Sequence, residues 1–105
     1  MSPAPDSTSV IVTDAPERGR YEAHVDGALA GILEHKVRGT RIALIHTEVQ
    51  PAFEGRGIAA SMVRFALADA RARHLGVIAT CPYVQGYLAR HPEERDVVVR
   101  TTATK

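Results

Sequence analysis

The segment of this chain best suited to bind a ligand is a glycine-containing turn, FEGRGIA, which runs from Phe53 to Ala59. It joins a predicted strand to a predicted helix, where backbone N–H groups lack partners and the helix dipole is positive. Gly55 and Gly57 would let the main chain approach an anion closely, and Arg56 could add a charge-assisted hydrogen bond. Such a turn can hold a phosphate or diphosphate, although two glycines can also serve only to make a tight turn.

Two side chains just before this turn could move protons. His46 and Glu48 lie two residues apart on a predicted strand, so they should share one face of the sheet. Imidazole changes protonation near neutral pH, and a carboxylate can also accept a proton, so either is a candidate general base. The structural alternative is a buried, hydrogen-bonded His46 beside a surface Glu48.

The single cysteine, Cys81, follows a short apolar strand and precedes Pro82, a residue suited to the first turn of a helix. A helix N-terminus favours the reactive thiolate form of cysteine, which makes Cys81 a candidate nucleophile. A small thiol used for packing is the alternative. The remaining histidines show no ligand spacing with Cys81 or with one another, so we expect no metal site.

The residues around the glycine turn exclude two classes of phosphate-binding site. A P-loop requires Lys followed by Ser or Thr, and that pair is missing here. A dinucleotide fingerprint requires an acidic residue about 20 positions after the glycines, at the end of the next strand. The sequence has Ala79, Thr80 and Cys81 at that point.

Hydrophobic periodicity predicts a single α/β (α+β) domain built on a mixed sheet. Strands are predicted at residues 10–13, 20–25, 28–37, 41–49 and 77–80, and helices at residues 58 to about 75 and 82 to about 90. Asp26-Gly27 fits a type I′ turn between two strands. The order gives an antiparallel meander followed by a right-handed β-α-β crossover, with the last strand parallel to residues 41–49.

Two local features are predicted with this fold. Residues 41–49 carry apolar side chains in both alternating sets, which indicates a central strand covered on both faces. The first helix should extend for roughly five turns and end where Gly76 adopts a left-handed conformation.

Length and composition restrict the possible functions. The chain has 105 residues, 45% of them hydrophobic, a net charge of +1 and one cysteine. These values fit one globular domain with no internal disulfide, and they give no electrostatic reason to expect a nucleic acid or membrane partner. Without a signal peptide or an apolar run long enough to span a bilayer, we expect a cytoplasmic location. We expect a domain at residues 10–100 between flexible tails at 1–9 and 101–105.

Several motifs together resemble those of the GNAT superfamily of N-acetyltransferases. Glu54, Gly57 and Ala59 occupy the first, fourth and sixth places of the acyl-CoA signature Q/R-x-x-G-x-G/A, with Glu54 departing from the usual Gln or Arg. The segments HTEV before the turn, CPY from Cys81 and YLARHP from Tyr87 are similar to those of the minimal, single-domain GNAT-like proteins. The resemblance extends over roughly residues 21–94.

The resemblance implies a site for acetyl-CoA between two parallel strands that splay apart. Pantetheine would pair with main chain near Thr47 and Val49, and Tyr83 would line the wedge. The residues implied to surround the pyrophosphate are Glu54, Gly55, Arg56, Gly57, Ile58 and Ala59. The amine of an acceptor would attack the thioester directly, and Tyr87 would protonate the leaving sulfur or serve as a core residue. The similarity to the minimal, single-domain GNAT-like proteins also implies that Cys81 and His46 are candidates for catalysis through an acetyl-cysteine intermediate.

The resulting hypothesis is an acetyl-CoA-dependent N-acetyltransferase that acts on a primary amine, either a protein lysine or a small amine. The alternative is a coenzyme A-binding module or regulator with little catalytic activity. Larger members of the superfamily place helices after the first strand to shape the acceptor site, whereas only residues 14–19 are available here. The acceptor groove would then be open or absent.

Overall fold

The computed structural model describes residues 10–99 as one five-stranded sheet packed against two helices. The predicted tails and residue 100 lie outside this described range. The elements are β1 (Val10–Ala15), β2 (Arg20–Val25), β3 (Ala28–Arg38), β4 (Arg41–Val49), α1 (Ile58–Ala72), β5 (Gly76–Ala79) and α2 (Pro82–Arg90). Three short 3-10 helices are found at Pro16–Arg18, Pro51–Phe53 and Pro92–Val97. Within residues 10–99, neither helix is long and apolar enough to cross a bilayer.

The predicted antiparallel meander and the parallel pairing of the last strand with β4 are confirmed. The strands follow the order β1-β2-β3-β4-β5, with antiparallel pairing from β1 to β4 and parallel pairing between β4 and β5. Asp26 and Gly27 have φ values of 50° and 83°, as a type I′ turn requires. Strand β4 is therefore central, with a neighbour on each side.

The hydrophobic core lies between one face of the sheet and the two helices. Tyr21, Leu33 and Leu44 from the strands are fully buried there, as are Met62 and Leu67 of α1. Phe65 of α1 lies at the edge of this core, 36% exposed, with its ring edge-on to that of Tyr21 at 5.6 Å between centroids.

The prediction that β4 is covered on both faces is wrong. Ile42 and Leu44 are buried beneath the helices, but Ile45 is 42% exposed on the strand. Both helices contribute to the single core on the other face, and no helix among residues 10–99 packs on this side. Apolar residues in both alternating sets of β4 therefore did not indicate burial on both sides. We call the uncovered side the outer face of the sheet.

A β-bulge in β4 determines which side chains reach this outer face. Glu34 pairs with His46 but the next residue, His35, pairs with Leu44, so Ile45 is an extra residue in β4. Because the bulge interrupts the alternation, Leu44 and Thr47 both lie on the core side of the sheet. His46 lies on the outer face instead.

A network of polar side chains links the C-terminal end of α1 to the sheet. The sequence patterns did not predict it. The Tyr21 hydroxyl donates to Asp69 at 2.8 Å, and Arg73 pairs with the same carboxylate at 2.9 Å. Beside them, His35 Nε2 lies 2.8 Å from Asp14 Oδ1. Burial, together with the hydrogen bond to Asp69, raises the pKa of Tyr21 above its ordinary value.

The helix ends earlier and differently than predicted. It has 15 residues, and His74, with φ of 58°, adopts the left-handed conformation that was expected of Gly76. Gly76 begins β5, where a Cβ would lie 2.5 Å from Cγ1 of Val99. This glycine is therefore required for close packing at the edge of β5 rather than for ending the helix.

Candidate functional site

The turn between β4 and α1 presents its main chain to the surface. Gly55 and Gly57 have φ values of 82° and 76°, in the left-handed region that side-chain-bearing residues avoid. Gly57 is the N-cap of α1, so no side chain covers the end of the helix. A Cβ at either glycine would meet nothing within 4 Å, which shows that the space outside this turn is open.

A row of backbone N–H groups in this turn has no acceptor among residues 10–99. The first hydrogen bond of α1 runs from Ser61 N to Gly57 O at 3.0 Å, and Glu54 N bonds to Pro51 O at 3.3 Å. The amides from Gly55 to Ala60 lie between these two bonds and are unpaired within the described chain. Together with the positive end of the α1 dipole, they form a site that favours an anion.

These amides border a cleft of about 230 Å³. Its lining consists of Val49, Phe53, Glu54, Gly55, Gly57, Ile58, Ala59, Ala60 and Tyr83. The structure thus brings Tyr83 of α2 to the predicted phosphate turn. The Arg56 guanidinium is 5.4 Å from the centroid of the Phe53 ring, which places it at the edge of the cleft rather than in its wall. The exposed Glu54 adds a carboxylate on the same side.

Beside the cleft, the strands β4 and β5 separate. Their parallel pairing ends at Leu44 and Ala79, while β4 continues to Val49. The Leu44 carbonyl accepts hydrogen bonds from the amides of Thr80 and Cys81, at 3.2 and 3.1 Å, and so marks the point of separation. From there to Val49, the edge of β4 that faces β5 has no strand partner in the described chain.

Thr47 and Cys81 meet across this gap. The Thr47 hydroxyl lies 3.2 Å from the Cys81 sulfur, and Cys81 is only 3% exposed. Cys81 is the N-cap of α2, as expected from the position of Pro82. Sequence reasoning placed only the main chain of Thr47 at the site, because the contact between its side chain and Cys81 depends on the bulge at Ile45.

His46 and Glu48 share one face of β4, and their side chains are in contact. His46 Nε2 lies 3.1 Å from Glu48 Oε2, and the two side chains are 51% and 67% exposed. When Nε2 donates to this carboxylate, Nδ1 keeps a lone pair that can accept a proton. Both residues lie on the outer face, on the opposite side of β4 from Thr47 and Cys81. The predicted association of His46 with Cys81 is therefore not a direct contact.

Tyr87 is a core residue by its environment. It is 2% exposed, lies on the buried side of α2 with Val84 and Leu88, and stacks on His91 at 4.3 Å between ring centroids. Its hydroxyl has no hydrogen-bond partner within residues 10–99, and Tyr87 is not among the residues that line the cleft. Both predicted roles, core packing and proton donation, are compatible with this position.

A larger surface depression, of about 470 Å³, lies between β1 and α1 and has a different character. Its floor is formed by Val10, Val12 and Phe65, and its rim includes Arg71, which already pairs with Glu94 and Asp96. It lacks the unpaired amides of the cleft. Nor do residues 10–99 contain a group of three or more His, Cys, Asp or Glu side chains arranged to hold a metal ion. The glycine turn is the better candidate site.

Comparison with known sequences gives two matches that cover most of the chain. The model of the family described as GCN5-related N-acetyl-transferase matches residues 20–97. Protein NATD1 of Xenopus tropicalis is 32% identical over 88 residues, which cover 82% of this chain and 81% of the relative.

Solved structures share the fold. A GCN5-like protein from Staphylococcus aureus superposes with a TM-score of 0.64 at 16% identity, over 89% of this chain and 93% of its own. The ribosomal-protein-alanine N-acetyltransferase of Brucella melitensis biovar Abortus 2308 gives a TM-score of 0.58 at 19% identity, over 82% of this chain and 65% of its own. At these identities the likeness concerns architecture.

Proposed function

Because this chain belongs to the GCN5-related N-acetyltransferase family, we propose that it transfers an acetyl group from acetyl-CoA to a primary amine. One observation carries the proposal. The unpaired amides at the start of α1 lie beside the gap where β4 and β5 separate, so an anion and an extended chain can be held side by side. The first four N–H groups of any α-helix lack an intrahelical acceptor, and here the glycine turn adds the exposed amides of Gly55 and Arg56 to that row.

The fit to coenzyme A rests on complementary groups. The amides from Gly55 to Ala60 would hold the diphosphate, and the unpaired edge of β4 at Thr47 and Val49 would hydrogen-bond pantetheine. At about 230 Å³ the cleft is smaller than a typical site for a whole cofactor, so the adenosine would lie outside it. Glu54 would lie near the diphosphate and weaken binding by repulsion.

The outer face supplies the base. Acetyl-CoA provides a thioester whose carbonyl carbon the amine attacks, with cleavage of the C–S bond and release of the coenzyme A thiolate. His46 Nδ1 would take the proton from the amine, while Glu48 orients the imidazole through Nε2. The acceptor would then approach from the outer face, and the coenzyme would lie toward the helices.

On the core side, two groups could serve the leaving sulfur. The Tyr87 hydroxyl is one, because it lacks a partner within residues 10–99. The Cys81 thiol is the other, and it could instead take the acetyl group first if it attacks the thioester as a thiolate. The Thr47 hydroxyl, at 3.2 Å, is positioned to donate to that sulfur. A reducing, cytoplasmic setting would keep this thiol free.

Thermal stability tests the cofactor assignment. Acetyl-CoA and coenzyme A should raise the melting temperature with increasing concentration, whereas NAD and ATP should not. Equal shifts with all four ligands would reject a specific coenzyme A site. Mass spectrometry with acetyl-CoA and a panel of amines and lysine peptides should then detect an acetylated acceptor.

Variants separate the catalytic roles. His46→Ala should reduce turnover without changing the acetyl-CoA shift, because the imidazole lies on the other face of β4. Cys81→Ser should lose both turnover and any acetylated-protein mass if the thiol is a nucleophile, and retain turnover if the amine attacks directly. If the Cys81 thiol is a nucleophile, its rate of alkylation reports its reactivity. Thr47→Val should slow this alkylation, and Thr47→Ser should restore it.

A coenzyme A-binding module or regulator is the second candidate, and one observation favours it. Between β1 and β2 the chain has only the short 3-10 helix Pro16–Arg18, so no helix shapes an acceptor site on the outer face. Turnover distinguishes the two functions. Binding of acetyl-CoA without transfer to any amine of the panel would favour the module.

A further inference from the structure

Three cations surround a small recess on the outer face. Lys36, Arg38 and Arg41 form its rim, and Ala43 and Ile78 form an apolar floor, enclosing about 70 Å³. All three cations are exposed, and none has a carboxylate within 4 Å among residues 10–99. An apolar floor with a cationic rim complements a side chain that ends in a carboxylate after one or two methylenes.

The arrangement of these cations is unfavourable for the isolated chain. Arg38 and Arg41 are directly opposite each other in the β3–β4 pairing, and like charges in cross-strand pairs are destabilising. A partner carboxylate would relieve this repulsion. The contrast with Arg20 is informative, because that cation, also on the outer face, is paired with Glu22 at 2.9 Å.

The recess lies near the proposed base. Ala43, in its floor, and His46 are both on the outer face of β4, separated by the bulge at Ile45. At about 3.3 Å of rise per residue, this separation is roughly 10 Å or less. An extended polypeptide lying along β4 would cover that distance with two to four residues.

We propose that the outer face docks an extended acceptor segment that carries an acidic residue two to four positions from the reacting amine, with its carboxylate in the recess and its amine at His46. This inference rests on the proposed function and specifies its substrate class. The acceptor is then an acidic segment of a protein rather than a free small amine. The recess supplies affinity and register, while His46 and Glu48 supply chemistry.

The charges of the same face disfavour a nucleic acid as the occupant. Glu34 is the β3 partner of His46, and Glu48 follows two residues later, so carboxylates stand one row away from the cations. A uniformly anionic backbone along the strands would meet both signs of charge. A polypeptide with alternating amine and carboxylate matches them.

Peptide binding tests the proposal without requiring turnover. The probes are fluorescein-labelled extended peptides with one central lysine and Glu residues two and four positions away, and matched peptides with Gln in place of Glu. Fluorescence anisotropy should show the Glu peptide binding about tenfold tighter at low salt, and added salt should reduce the difference. Equal affinities for the two peptides would overturn the proposal.

Two triple variants with the same change in net charge provide the control. Replacing Lys36, Arg38 and Arg41 with Gln should abolish the preference for Glu, and should not lower the melting temperature because it removes the Arg38–Arg41 repulsion. Replacing the exposed Arg64, Arg90 and Arg95 with Gln should leave the preference intact. Equal losses in both variants would mean that net charge alone attracts the peptide, and would reject docking at the recess.

Turnover and competition separate the remaining outcomes. In acetyl transfer, the recess variant should raise KM for the Glu peptide with little change in kcat, and leave a small amine unaffected. If the unsubstituted protein bound the Glu and Gln peptides equally and still acetylated small amines, the docking alone would be rejected. A preserved binding preference with no transfer would reject the catalytic proposal alone. Single-stranded RNA that displaces the Glu peptide at lower concentration than unlabelled peptide would also overturn the proposal.

Discussion

The two ends of α1 differ in whether their polar groups have partners within the protein. At the C-terminal end, Asp69 accepts the Tyr21 hydroxyl and pairs with Arg73, so the polar groups near the helix end are used within the protein. At the N-terminal end, Gly57 caps the helix without a side chain, and the amides up to Ala60 have no acceptor within residues 10–99.

We expect the paired C-terminal end of α1 to contribute to stability and the unpaired N-terminal end to contribute to ligand binding. A folded chain normally pairs its backbone donors or caps them, because unpaired groups that become buried are costly. The N-terminal end of α1 has Gly57 at the N-cap in place of Ser, Thr, Asn or Asp, a difference of only a few tenths of a kcal/mol. The C-terminal network holds the same helix in place, so the open end keeps its shape.

The largest expected effect is at the closed end. Asp69→Ala leaves the buried Tyr21 hydroxyl without its acceptor and should lower the free energy of unfolding by about 2 kcal/mol, since the better helix propensity of Ala offsets part of the loss. Urea unfolding measures this change. Arg64→Ala, on an exposed position of α1, should have little effect, and an equal loss in that control would contradict the assignment. Neither variant should change affinity for acetyl-CoA while the protein is folded.

The same end should make stability sensitive to alkaline pH. The pKa of Tyr21 is higher in the folded than in the unfolded chain, so above about pH 10 the unfolded state releases a proton that the folded state retains. Stability should therefore fall as pH rises through this range, by up to about 1.4 kcal/mol per pH unit from this group. In urea unfolding from pH 8 to 11, Tyr21→Phe should show a shallower decline. If the free energy of unfolding fell equally steeply with pH in both proteins, the raised pKa of Tyr21 would be contradicted.

At the open end, the effect should be on binding. Gly57→Ala forces a side-chain-bearing residue into a φ of 76° and should weaken acetyl-CoA binding about tenfold, because the amides lose their alignment. Isothermal titration measures the affinity. Gly39→Ala is the matched control, since Gly39 also has a positive φ, of 58°, and open space at its Cβ. The control should lose similar stability and keep its affinity, and a comparable loss of affinity would contradict a local role for Gly57.

The smallest expected effect is an increase in affinity for acetyl-CoA. Glu54→Gln removes a negative charge from the lining of the cleft and should tighten acetyl-CoA binding by about two- to fourfold at low ionic strength. The gain should shrink as salt is added, because the interaction is screened. Asp26→Asn, at the β2–β3 turn, should leave affinity unchanged. A weaker complex in the Glu54 variant would indicate that this side chain hydrogen-bonds the ligand instead.

Local signals in the sequence were sufficient for the elements and their order. Alternation and helical periodicity, the Asp26-Gly27 turn and the glycines before α1 each depend on neighbouring residues, so they can be recognised without the fold. The family resemblance follows from the same short motifs. The local pattern allows the left-handed residue after α1 at either His74 or Gly76. Because Gly76 is already paired with β4 as the first residue of β5, the chain turns at His74.

Which groups meet at the site was decided only by the tertiary structure. The sequence places His46, Thr47 and Glu48 next to one another, but the extra residue Ile45 sets their faces, with Thr47 against Cys81 and the other two toward solvent. A bulge is a property of the pairing between two strands, and one residue of register moves a side chain from one face of a sheet to the other. The recess rimmed by Lys36, Arg38 and Arg41 likewise exists only because β3, β4 and β5 bring distant residues together.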